Sequence, residues 1–139
     1  MRSKVRNLTF AGLVTGVTLW ATAASAGQVA KGNNFTVDAS AGACRAGAEC
    51  TVALKLTAGD GYHVNPEYPY KFTANDTSGV EFLGKTSNKN LFTKSAGDFT
   101  VNGEKVGTMT IRFKPSSHGT VNVSGLFKLS VCSAQKRGR

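Results

Sequence analysis

Little in this chain of 139 residues suits covalent or metal chemistry. It has two histidines, three cysteines and eight acidic residues, and the acidic ones stand singly among turn and strand residues. No Ser-His-Asp order is suggested and Gly-x-Ser-x-Gly does not occur, so the common serine-hydrolase signatures are missing. The glycines mark turns, and none builds a phosphate-cradling loop. Small exported copper carriers cluster Cys, His and Met near one end. Here His118 precedes Cys132 by 14 residues and no soft ligand follows Cys132. His63 reads as a strand-edge residue and His118 as a turn residue, and neither metal nor cofactor is expected.

Basic clusters interleaved with aromatics are missing as well. The formal charge of +9 is concentrated at the two ends: Arg2, Lys4 and Arg6 at the start, and Lys136, Arg137 and Arg139 in the last four residues. Residues 27–135 hold 11 basic and 8 acidic side chains, spread singly, for a net +3. Nucleic-acid binding is therefore not expected. The terminal Lys-Arg-Gly-Arg could attract an acidic partner or surface.

Charge disappears altogether from Leu8 to Ala24. The short basic start, this apolar stretch and Ala24-Ser25-Ala26 form the pattern of an export signal cleaved after Ala26. The stretch is about 17 residues and diluted by Thr and Gly, at the lower limit for a membrane-spanning helix. No cysteine follows the cleavage point to carry a lipid, and no second apolar run exists. The expected organisation is a leader over 1–26, one domain over 27–135 and a basic tail over 136–139. The processed chain would be exported, periplasmic or secreted, with no stable membrane span. Its 113 residues suffice for one core of modest size.

Helical periodicity is nearly absent, and period-two alternation takes its place. Phe35, Val37 and Ala39 alternate with polar residues, as do Val52, Leu54 and Leu56, then Met109, Ile111 and Phe113. The longest series is Val121, Val123, Phe127, Leu129 and Val131, broken by Gly125. Shorter β-rich runs lie at Tyr70–Ala74, Val80–Leu83 and Phe99–Val101. Turn signals separate them, and Asn102-Gly103 predicts a hairpin. Asn90–Gly97 reads as a mobile loop. The pattern predicts an all-β fold, an immunoglobulin-like antiparallel β-sandwich of about seven strands; an open barrel is the alternative.

Cys44 and Cys50 enclose a five-residue loop centred on Gly47, which can bring them within disulfide reach. In an oxidising compartment they are expected to form a structural bridge. Cys132 is the odd cysteine. The apolar residues of its strand are odd-numbered, which places Cys132 on the other face, at an end expected to be exposed. An odd cysteine in an exported protein reads as a reactive thiol, with Lys136 and Arg137 near enough to favour its thiolate, or equally as a buried thiol without a role. Gly61-Tyr-His-Val-Asn-Pro-Glu-Tyr-Pro-Tyr-Lys-Phe72 holds all three tyrosines and two of the three prolines. It reads either as an aromatic binding patch or as a stiff corner between strands, since Pro66 and Pro69 cannot donate to a sheet.

Two segments resemble one family. Gly59-Asp-Gly-Tyr-His-Val-Asn65, followed by the Pro and Tyr residues, resembles a strand of the amino-terminal periplasmic domain of the thiol:disulfide interchange protein DsbD. Gly125-Leu-Phe-Lys-Leu-Ser-Val-Cys132 resembles the strand that carries that domain's first redox cysteine. The resemblance covers about residues 33–134. It implies an immunoglobulin-like fold that passes reducing equivalents to a thioredoxin-like exported partner. By position, Cys132 would be the redox thiol, and Tyr62, His63 and Asn65, with Tyr68 and Tyr70 beyond them, would shield it. The second redox cysteine is missing, and an internal exchange needs a resolving thiol. Two functions stand at this point: thiol relay or thiol-partner binding through Cys132, and a non-catalytic exported protein-binding or structural sandwich with a Cys44–Cys50 bridge.

Overall fold

A computed structural model describes the backbone of residues 5–18 and 25–133, and the side chains of 27–119 and 121–133. The described residues form eleven strands and no helix. These are β1 (Val5–Thr18), β2 (Ser25–Lys31), β3 (Phe35–Ala41), β4 (Cys50–Ala58), β5 (Tyr62–Val64), β6 (Lys71–Ala74), β7 (Val80–Phe82), β8 (Leu91–Thr93), β9 (Phe99–Asn102), β10 (Val106–Pro115) and β11 (Thr120–Ser133). They make a sandwich of two antiparallel sheets. One runs β1-β11-β6-β8, with β5 also beside β11. The other runs β2-β3-β4-β10-β7, with β9 also beside β10.

Alternation in the sequence becomes alternation in burial. β4 is buried at every other residue from Cys50 to Ala58, and β10 from Gly107 to Pro115. A strand presents successive side chains to opposite faces, so each contributes one apolar row to the space between the sheets. Val37, Leu54, Leu56, Met109, Ile111 and Phe113 meet Phe72, Phe92, Val123, Phe127 and Leu129 there, all within 1% of complete burial. Aromatic rings join the layers. Phe99 of β9 stacks on Tyr70 with centroids 4.0 Å apart and lies 6.3 Å from Phe127 of β11.

All seven expected runs are strands. Asn102-Gly103 begins the β9–β10 hairpin, where Asn102 pairs with Val106 and Gly103 takes the positive φ of 72° that favours glycine. The break in the long apolar series has a packing cause. A Cβ on Gly125 would collide with the Thr73 carbonyl oxygen and the Phe72 ring, so only glycine lets β11 approach β6 this closely.

Four strands lie beyond the seven expected runs, and one of them, β5, falls on the segment 59–65, already expected to resemble a strand. β5 is a three-residue strand at the start of the tyrosine-rich stretch. β8 lies inside 90–97, which is therefore not simply a loop: Phe92 is fully buried and pairs opposite Phe72 of β6. Leu91 and Phe92 are adjacent apolar residues, so no period-two alternation marks the strand. β1 and β2 arise from the chain start. β1 runs along β11 from Val5 opposite Cys132 to Thr18 opposite Thr120, with an irregularity between Val14 and Val17. The tail 136–139 lies outside the described residues.

Candidate functional site

The Cys44–Cys50 bridge is formed, with Cα atoms 5.4 Å apart and both residues buried. It closes the turn from β3 into β4, and Gly47 within it donates its N–H to the Pro115 carbonyl at 2.7 Å. Cys132 is the free cysteine among the described residues.

Strand β11 brings Cys132 to the tyrosine-rich stretch. β5 lies antiparallel against its end, so that Cys132 faces His63, Ser133 faces Tyr62 and Val131 faces Val64. Directly opposed residues share a face, which sets His63 beside the thiol on the outer side of the sheet. One step on, the Asn65 N–H donates to the Ser130 carbonyl at 3.2 Å, and Asn65 Nδ2 lies 3.5 Å from Ser130 Oγ. Asn65 Oδ1 also accepts from the Glu67 N–H at 3.0 Å, an Asx turn that starts the reversal toward β6. The Tyr70 hydroxyl closes the corner, 2.7 Å from both the Asn65 and the Ser130 carbonyl oxygens. A tyrosine bonding the backbone a few residues upstream is the tyrosine-corner device of immunoglobulin-like sandwiches. Tyr68 packs edge-on against Tyr70 at 5.0 Å. From the other side, Lys105 Nζ holds the Gly59 and Tyr62 carbonyls at 2.7 and 2.8 Å.

Tyr62, His63, Asn65, Tyr68 and Tyr70 thus gather in one corner at the end of β11. Cys132 points to the outer face as its phase requires, but it is not exposed. It is 5% accessible, and Ser130 on the same face is fully buried. The expectation of an exposed thiol is corrected by the neighbours the strand acquires: β11 is flanked by β1 and β5 at this position, so it is no sheet edge. Burial pushes the thiol's pKa up from its ordinary value, opposite to the activated thiolate that basic neighbours would favour. Lys136 and Arg137 lie outside the described residues. Burial likewise pushes the Tyr70 phenol far up, against the lowering effect of its bond to Asn65; negative charge on Cys132 would push it further.

A cleft of about 380 Å³ opens on the far side of this corner. Glu67, Tyr68, Pro69, Tyr70 and Lys71 form one wall and Thr93, Lys94 and Ser95 the other, and Cys132 is not among its lining residues. The Lys94 N–H donates to the Tyr70 carbonyl at 3.0 Å and ties the walls together. A smaller, polar hollow of about 180 Å³ holds exposed His118 beside Thr77, Ser78 and Asn122. Among the described residues no group of three or more His, Cys, Asp or Glu could hold a metal ion.

Sequence reading missed one charged cluster. The Asp98 carboxylate is completely buried, accepting from Arg112 Nη1 at 2.9 Å and the Thr93 N–H at 3.0 Å, with Lys85 at 3.8 Å. Arg112 also reaches the Leu83 carbonyl at 3.2 Å and lies 5.6 Å from the Phe92 ring centre. It staples β10 to the segments around β7 and β8. Arg112 sits at an ordinary polar position of an alternating strand, so no local signal marks it.

Comparison with protein-family models, curated proteins and solved structures finds no match for this chain.

Proposed function

We propose that this chain is an exported, non-catalytic β-sandwich that binds a protein partner, a single-domain relative of the DsbD amino-terminal type in which the thiol has a structural part. The burial of Cys132 carries this reading. A thiol relay needs an accessible thiolate and a second thiol to resolve the mixed disulfide. Here the lone thiol of the 139-residue chain is 5% accessible with its pKa pushed up, flanked by β1 and by β5, of which β5 remains after processing, and Cys44 and Cys50 are bonded to each other. Export is supported by the leader pattern and by a bridge suited to an oxidising compartment. A concave surface among the described residues that is available to a partner is the cleft of Tyr68, Pro69, Lys71 and Lys94.

A thiol-relay reading draws on one observation. The strand across from Cys132 is only three residues long, and the tyrosine-rich segment continues from it. Lifting that segment would uncover the sulfur. The two readings separate in a trapping experiment. The processed protein is incubated with a thioredoxin-like exported protein that holds its active cysteine as an activated disulfide. The binding-module reading expects no covalent complex. A complex that forms with the natural chain and disappears in Cys132→Ser would replace it with the relay.

A further inference from the structure

The position of β1 shows that β11 can accept a strand along almost its whole length. Residues 5–18 occupy that edge in twelve opposed pairs, from Val5 with Cys132 to Thr18 with Thr120. These are the residues that the leader reading removes. We infer that the processed chain uses the vacated edge of β11 to pair with β11 of a second copy, forming a two-fold dimer through a continuous sheet. The inference rests on cleavage after Ala26.

A bare edge of this length templates pairing. Proteins that keep such an edge open protect it with charge, proline or a bulge. β11 carries one charged residue, Lys128, and no proline. Its own composition is self-complementary. An antiparallel pairing centred on Leu126 sets Val121 opposite Val131 and Val123 opposite Leu129 on the inner face. On the outer face Ser124 meets Lys128, so the single charge never meets itself. Leu126 lies on the axis opposite its own copy. It is also the one exposed large hydrophobic side chain among the described residues, at 38% accessibility. A two-fold contact of this kind closes on itself and does not propagate.

Backbone polarity fixes the pair type at the axis. The Ser124 and Ser130 carbonyls point toward β6 and β5, where they accept from Asn75 and Asn65. Within a strand every second residue points its backbone groups the same way, so those of Leu126 also face β6, away from the new partner. The Leu126 pair would be a non-hydrogen-bonded one, with Cα atoms about 4.5 Å apart and side chains in contact. That spacing lies within disulfide range.

The test uses the protein exported and processed from the full coding sequence. Intact mass establishes whether residues 1–26 are gone, and sedimentation gives the oligomeric state. The unprocessed 139-residue chain serves as the monomeric control. The processed chain is expected to sediment as a dimer, Leu126→Lys to weaken dimerisation by at least about tenfold, and Leu126→Cys to form a dimer covalently linked at position 126. A processed chain that is monomeric, or that pairs only with another protein's strand, overturns the dimer alone. So does a dimer insensitive to Leu126→Lys in which Leu126→Cys fails to cross-link. A mass that retains residues 1–26 overturns the leader reading, and the dimer with it.

Discussion

Replacing Tyr70 by phenylalanine removes one oxygen from the point where the tyrosine-rich corner is fastened to β11. The ring should stay where it is, because Phe99 stacks on it at 4.0 Å and Tyr68 packs edge-on at 5.0 Å. The lost group has one proton shared between two carbonyls at 2.7 Å. The Ser130 carbonyl keeps the Asn65 N–H as a partner, while the Asn65 carbonyl loses the hydroxyl at a half-buried site that water can reach. One buried hydrogen bond with an incompletely compensated acceptor is worth about 1.5 kcal/mol. For a domain of this size that corresponds to a fall in Tm of roughly 6 °C. Urea unfolding followed by far-UV circular dichroism measures it. Tyr68→Phe is the control: its hydroxyl has no partner among the described residues, so the change should stay within about 0.5 kcal/mol. Equal effects from the two substitutions would refute the corner as a hydrogen-bonded fastening.

Three further outcomes follow from the same geometry. Because burial raises both Cys132 and Tyr70, each keeps its proton in the folded chain at pH values where the unfolded chain releases it. Their contribution to stability is complete below the unfolded values, about 8.5 for the thiol and about 10 for the phenol, and is lost as pH rises above them. The urea midpoint should fall across that alkaline range and fall less in Tyr70→Phe; a flat profile contradicts it. Arg112→Met strands the buried Asp98 carboxylate with the Thr93 N–H and a distant Lys85, and should cost about 3 kcal/mol in urea unfolding. A loss below about 1 kcal/mol would mean that Lys85 or water replaces the guanidinium. Gly125→Ala must push β11 off β6 to clear the Thr73 carbonyl, at about 2–3 kcal/mol, whereas substitution at exposed, unhindered Gly42 should be near neutral by the same assay.

The seven strands legible in the sequence share one property: each is half-buried, so its apolar residues recur at every second position over at least three residues. Burial then follows the written pattern, as in β4 and β10. β8 escaped because its apolar residues, Leu91 and Phe92, are adjacent and show no alternation, and its identity depends on Phe72 across the pair. The Asp98–Arg112 pair escaped for a related reason, since a charge at an outward position looks the same whether it meets water or a buried carboxylate. Cys132 is the instructive case. Phase gave its face correctly, but exposure depends on which strands flank β11, and no property of residues 125–132 states that β5 will lie there. The bridge between Cys44 and Cys50 was legible because loop closure over six positions is a local matter.

The central claim is that Cys132 is a covered structural thiol and the chain binds without redox chemistry. It is tested most directly by the alkylation rate of the native 139-residue protein, in which β1 and β5 both flank Cys132, under non-reducing conditions, read by intact mass. The account predicts that native Cys132 takes up label at least about a hundredfold more slowly than in urea, where one label adds and the Cys44–Cys50 bridge stays closed. Labelling of the native protein at the rate of the unfolded chain would contradict it.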